Sequence, residues 1–110
     1  MDEQAEFAKL AAMHADAILE HEGGKPVVLL PKFTFRAAGK SHTVDLLLHP
    51  EAKQGEYHSR LYFKEKIEGT SANWQQQNVL GSSWWVYSWK GVPSSMPWPN
   101  MLCEHLRAIA

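Results

Sequence analysis

Two side chains in the last helix-like stretch have the types that nucleophilic catalysis uses, Cys103 and His105. A reactive cysteine needs a depressed pKa and a base within reach. Residues two apart on a helix point about 200° from each other, so this spacing does not make a pair. Cys103 reads instead as a small buried residue on a helix whose apolar stripe includes Leu102 and Leu106. Cys103 and His105 stay as the candidates for catalysis, and no catalytic residue is assigned.

Metal binding needs His, Cys and carboxylate side chains at short, recurring spacings. His42, His49, Glu51, His58, Cys103, Glu104 and His105 show none of these, so no metal or other cofactor is expected. His14 and His21 read as part of a helix seam and a helix C-terminus. No Gly-rich phosphate loop, nucleophile elbow or helical His-Glu-X-X-His is present. Glu65 and Glu68 sit beside Lys64 and Lys66, the mixture of a solvated edge.

Aromatic density is the remaining chemical signal. All five tryptophans fall between Trp74 and Trp98, and Trp is enriched where proteins bind partners. Trp85, Trp89 and Trp98 are the binding candidates on this ground, competing with the demand of a small core for large side chains.

The elements that must position these residues follow from periodicity. Asp2 to about Glu22 is rich in helix formers, carries Asp2 and Glu3 where they complement the helix dipole, and meets Gly23-Gly24 as a stop. Phe7, Leu10, Ala11, His14, Ala17 and Ile18 form its stripe. The period then falls to two. Val27 to Arg36 and Thr43 to His49 read as strands joined across Ala37-Ala38-Gly39-Lys40-Ser41, with Pro31 forcing an edge or a bulge.

Tyr57 to Ile67 is the third strand, with Tyr57, Leu61, Phe63 and Ile67 on its core face and His58, Arg60, Tyr62, Lys64 and Lys66 on the other, mostly solvent face. Ser82 to Lys90 is the fourth; Trp84 and Val86 point one way, Trp85, Tyr87 and Trp89 the other. The Pro-rich stretch Gly91 to Pro99 is expected to cover the second face, and a helix closes the chain from about Pro99 to Ala110.

One α+β domain over residues 1–110 is therefore expected: an N-terminal helix, a four-stranded antiparallel meander, a Pro-rich extended segment and a C-terminal helix. Its core is Phe7, Leu10, Ile18, Leu29, Phe33, Leu46, Leu48, Leu61, Phe63, Trp84, Val86, Met101, Leu102 and Leu106.

Eleven Lys and Arg nearly balance twelve Asp and Glu, which removes the long-range field that gathers nucleic acid. A single cysteine allows no internal disulfide, and no apolar run reaches the length of a membrane span. With an acidic start and no visible export signal, a cytoplasmic protein is expected.

The order of elements also resembles the ubiquitin-conjugating (UBC, or RWD-type) fold. From Val27 to Ile109 the chain is similar to a prokaryotic E2-like family associated with ubiquitin-like gene clusters. The similarity is carried by Val44-Asp45-Leu46-Leu47-Leu48, Tyr57 with Arg60-Leu61-Tyr62-Phe63, Leu80-Gly81-X-X-Trp84-Trp85-X-Tyr87-Ser88-Trp89, and Met101-Leu102 with His105-Leu106. An active member has a His-Pro-Asn element several residues before a loop cysteine. Here Trp98-Pro99-Asn100 stands in its place, and Cys103 follows too soon. The resemblance thus implies a non-catalytic adaptor in a bacterial ubiquitin-like conjugation system, docking a ubiquitin-like protein or its activating enzyme. Tyr62 and Arg60 join Trp85, Trp89 and Trp98 as its binding residues. Two alternatives remain: an active E2-like enzyme using Cys103 or His105, and a small host- or phage-encoded inhibitor of protein contacts.

Overall fold

The computed structural model describes residues 2–110. Its first helix, α1 (Glu3–Met13), is capped by the Asp2 side chain, which accepts from the Gln4 N–H at 3.0 Å. It ends well before the expected Glu22. The His14 N–H closes the last turn on the Leu10 carbonyl, and the His14 ring is bound to the Pro31 carbonyl at 2.7 Å.

The chain then turns extended, because Ile18 to Glu22 have strand partners across Gly23-Gly24. They form β1 (Ile18–Glu22), antiparallel to the start of β2 (Lys25–Ala37), with Ile18 opposite Leu29 and Glu22 opposite Lys25. Both glycines have positive φ, 58° and 80°, as a two-residue hairpin turn requires. The pair expected to stop a helix therefore turns a hairpin, and Ile18 lies on the surface rather than in the core.

Four more strands follow: β3 (Lys40–His49), β4 (Arg60–Phe63), β5 (Trp74–Val79) and β6 (Ser82–Tyr87). They complete one six-stranded sheet in the order β1-β2-β3-β4-β6-β5, with every neighbouring pair antiparallel. The four expected strands are thus joined by β1 and β5, which take the two edges. Pro31 does what its missing N–H demands: β2 bulges between Leu30 and Phe33. The extra residue shifts the side-chain alternation, so Val28, Leu30, Phe35 and Ala37 all belong to one cluster despite their mixed parity.

That cluster lies between the sheet and the two helices. Leu10 of α1 belongs to it together with Leu46, Leu48, Leu61, Phe63 and Tyr87 of the sheet. α2 (Trp98–Arg107) adds Trp98, Met101 and Leu102, and its buried His105 completes an i, i+3, i+4, i+7 stripe. The Pro-rich strap lies on this side too, with Val92 buried and Met96 packed on the cluster. It is fastened where the Ser59 hydroxyl donates to the Val92 carbonyl at 2.8 Å and the Ser94 hydroxyl to the His58 carbonyl at 2.9 Å.

The opposite face carries a second apolar cluster, Val27, Leu47, Tyr62, Val79, Trp84 and Val86, with no helix over it. The sheet itself supplies cover by curling. The Glu22 carboxylate at the end of β1 accepts from the Leu80 N–H in the β5–β6 turn, so the two edge strands meet at one end. Gln54, from the loop before β4, reaches the Tyr62 hydroxyl at 3.1 Å. Burying these six side chains contributes roughly 10 kcal/mol of hydrophobic stabilisation before chain entropy is subtracted. Among the described residues no helix is long and apolar enough to cross a membrane.

Candidate functional site

The sheet brings together a serine and a histidine 46 residues apart. Ser59 Oγ lies 3.0 Å from His105 Nε2, and both residues are buried, at 1% and 2% exposure. The geometry assigns the protons. Ser59 has one hydroxyl hydrogen and donates it to the Val92 carbonyl, so His105 Nε2 carries hydrogen and donates to Ser59. Burial, with the Arg60 charge adding to it, pushes His105 down to about 4 and keeps the ring neutral.

A base must offer a lone pair to the hydroxyl it activates, and this nitrogen does the reverse. The Tyr87 hydroxyl donates to the His105 carbonyl and is itself pushed well up by burial. The group is a polar rivet holding β4, the strap and α2 together.

Cys103 is exposed, which corrects its expected burial. It faces away from His105 and borders a shallow hollow of about 370 Å3 with Met96, Pro99, Asn100 and Glu104. The His105 ring is engaged by Ser59 and not by this thiol. Nor do any three His, Cys, Asp or Glu side chains among the described residues stand where they would share a metal ion.

The expected binding residues do not form one patch. Tyr62 and Arg60, placed on a mostly solvent face, are buried because the sheet is covered on both faces. The Tyr62 hydroxyl donates to Gln77 Oε1 at 3.0 Å and accepts from Gln54 Nε2. Arg60 donates to Gln54 Oε1 at 2.9 Å and to the Tyr87 carbonyl at 3.3 Å, its guanidinium 4.3 Å from the centre of the Tyr57 ring. Burial lowers the Arg60 pKa and raises that of Tyr62. On the same face His49 is 6% exposed with Nδ1 unpartnered, and burial pushes it down to about 4.

Trp98 is also buried, at 3% exposure, as the first residue of α2. Trp85 is half-buried against the helix-side core with Lys66 Nζ 5.8 Å from its ring centre. Only Trp89 of the three is openly exposed, at 44%.

Trp89 stands beside a feature that sequence reasoning missed. The Ser88 N–H bonds the Asn73 carbonyl, which sets the phase of the β5–β6 ladder. Antiparallel pairs alternate between bonded and unbonded, and Trp74, Gln76 and Asn78 are opposite Tyr87, Trp85 and Ser83 in the unbonded class. Their N–H and C=O groups therefore point outward from the last strand of the sheet. Edge strands are usually blunted by charge, proline or a bulge. β5 (Trp-Gln-Gln-Gln-Asn-Val) has none of these, whereas the β1 edge bears Glu20 and Glu22.

At one end of the open edge, Ser71, Ala72, Asn73, Ser88, Trp89 and Ala108 line a hollow of about 300 Å3. At the other end Leu80, 37% exposed, occupies the hairpin turn with φ of 53°. Fold and surface together define an α+β domain with a curled antiparallel sheet and one unblunted edge. No family model matches the chain, and no curated protein or solved structure matches it.

Proposed function

We propose that this chain is a non-catalytic protein-binding module that docks its partner on the outer side of the β5–β6 hairpin. The observation that carries the reading is the open, uncharged β5 edge lying beside exposed Trp89. Backbone groups of such an edge give affinity to an added strand, and an aromatic side chain at its end supplies an anchor. The sealed Ser59–His105 contact supports the non-catalytic half of the reading.

In its finer form the module is an E2-like adaptor whose partner is a ubiquitin-like protein or its activating enzyme. Support comes from the motif stretches quoted above and from a leading helix with the four strands of the resemblance lying side by side as β2-β3-β4-β6. Affinity capture in the native host with identification of bound proteins tests it. The wild-type chain is expected to retain such a partner and Trp89→Ala to lose it. Recovery of neither partner class, or equal recovery by Trp89→Ala, would count against it.

The exposure of Cys103 favours one second reading, an E2-like enzyme that accepts a modifier on this thiol. Incubation with an activating enzyme and ATP would then give a reductant-sensitive mass increase that is lost in Cys103→Ser. No increase is expected if the chain is an adaptor.

A further inference from the structure

We propose that the β5 edge pairs with the β5 edge of a second copy of this chain, antiparallel, about a two-fold axis at Gln76. This rests on the reading of the β5–β6 hairpin as the docking surface, where a second copy competes with any other protein that pairs with the same edge. The outward phase of Trp74, Gln76 and Asn78 restricts the register. With Gln76 facing its own copy, Trp74 of each chain faces Asn78 of the other, and every outward N–H and C=O of the three residues finds a partner. A shift of one residue puts the polar groups out of phase. A shift of two leaves an outward residue unpaired on both copies.

Charge selects a second copy at this edge and not at the other. Two-fold pairing sets each residue against one from an identical strand, so a charged edge opposes like charges. From Gln75 to Asn78 β5 exposes amides only, the Glu22 carboxylate reaching no further than the turn at Leu80, and Gln75 and Gln77 face each other across the axis on the opposite side of the ladder. β1 has Glu20 and Glu22 on one face of its strand, and self-pairing would bring carboxylates together.

The same register joins the two exposed apolar side chains of the hairpin. It carries the turn holding Leu80 alongside Ala72 of the second copy, at the hollow beside Trp89, and symmetry makes the contact twice. Leu80 is otherwise an odd choice. The left-handed backbone at φ of 53° suits Asn or Gly, and a leucine there is strained as well as wet. Closure against a neighbouring hairpin accounts for its presence.

Sedimentation of the full chain over tens to hundreds of micromolar tests the proposal. The wild type is expected to rise with concentration toward twice the chain mass. Gln76→Lys and Gln76→Glu, both at an exposed position, are each expected to move the association midpoint about tenfold or more to higher concentration, because like charges then meet at the axis. An equimolar mixture of the two is expected to recover association, and Glu20→Lys at the far edge to leave it unchanged. A wild type that stays monomeric over this range, or a dimer indifferent to both Gln76 variants, overturns the proposal. If the wild type is monomeric while Trp89→Ala still loses a captured protein, self-pairing falls and the docking reading stands. If the wild type dimerises through Gln76 while capture ignores Trp89, the pairing stands without that reading.

Discussion

Glu6 Oε1 accepts a hydrogen bond from the backbone N–H of Trp98 at 2.9 Å, so a carboxylate on α1 satisfies the first turn of α2 from 92 residues away. Pro97 begins α2 without any side-chain capping bond of its own, and Glu6 supplies what it lacks. The other Glu6 oxygen is 2.6 Å from Lys9 Nζ, a contact that holds the carboxyl below its usual range, with the Trp98 bond adding to the effect.

Glu6→Ala is therefore expected to cost about 1–2 kcal/mol in denaturant unfolding, the value of a helix cap. Because the folded pKa lies below the unfolded one, this contribution is present above the ordinary carboxylate range and is lost as pH falls through it. A Glu6→Ala chain as stable as the wild type at neutral pH would show that α2 does not depend on this bond.

His49 and His105 make the fold acid-sensitive. Both are held neutral to about 4 by burial, against 6.5 for the free side chain. Between these values the unfolded chain binds protons that the folded chain refuses, so stability falls as pH drops from about 6.5 to 4, by up to roughly 1.4 kcal/mol per pH unit for each ring. Equilibrium unfolding across this window measures the slope. His49→Leu removes one of the two rings together with its unpartnered Nδ1. It is expected to flatten the slope and to raise stability at pH 7 by about 1 kcal/mol.

Ser59→Ala leaves the His105 N–H and the Val92 carbonyl without their shared hydroxyl. The expected loss is about 1–3 kcal/mol of stability, with partner capture and self-association retained wherever the variant is folded. Loss of those interactions in a fully folded Ser59→Ala chain would assign this serine a role at the docking surface.

Leu80→Asn relieves a strained turn residue and is expected to stabilise the chain by about 1 kcal/mol while weakening association at the hairpin. Thermal unfolding and sedimentation of the same sample separate the two effects. Unchanged association would remove Leu80 from the interface.

Elements buried on a regular pattern were legible in the sequence. The strands around Val27 to Arg36 and Thr43 to His49 show their period, Pro31 announces its bulge, and Met101, Leu102 and Leu106 give α2 away. The edges were not. Ile18 to Glu22 follows a run of helix formers, and only the ladder to Lys25–Leu29 turns it into a strand. β5 has three glutamines and an asparagine in a row, with no alternation to read, because an edge strand can be wet on both faces.

Tyr62 and Arg60 misled for a related reason. Alternation along β4 separates two faces of the sheet, but it does not say that one of them is solvent, and here the curl of the sheet closes both. Ser59 and His105 share no motif; only the fold makes them neighbours.

Hydrogen exchange on the captured complex, compared with the same chain under conditions where it is free, tests the docking account most directly. Protection gained at Gln76 and Asn78, with the Trp89 segment following, is the predicted result, since these edge amides point outward from the sheet. Protection confined to α2 around Asn100 to Glu104, with β5 unchanged, would contradict it and move the site to the exposed thiol.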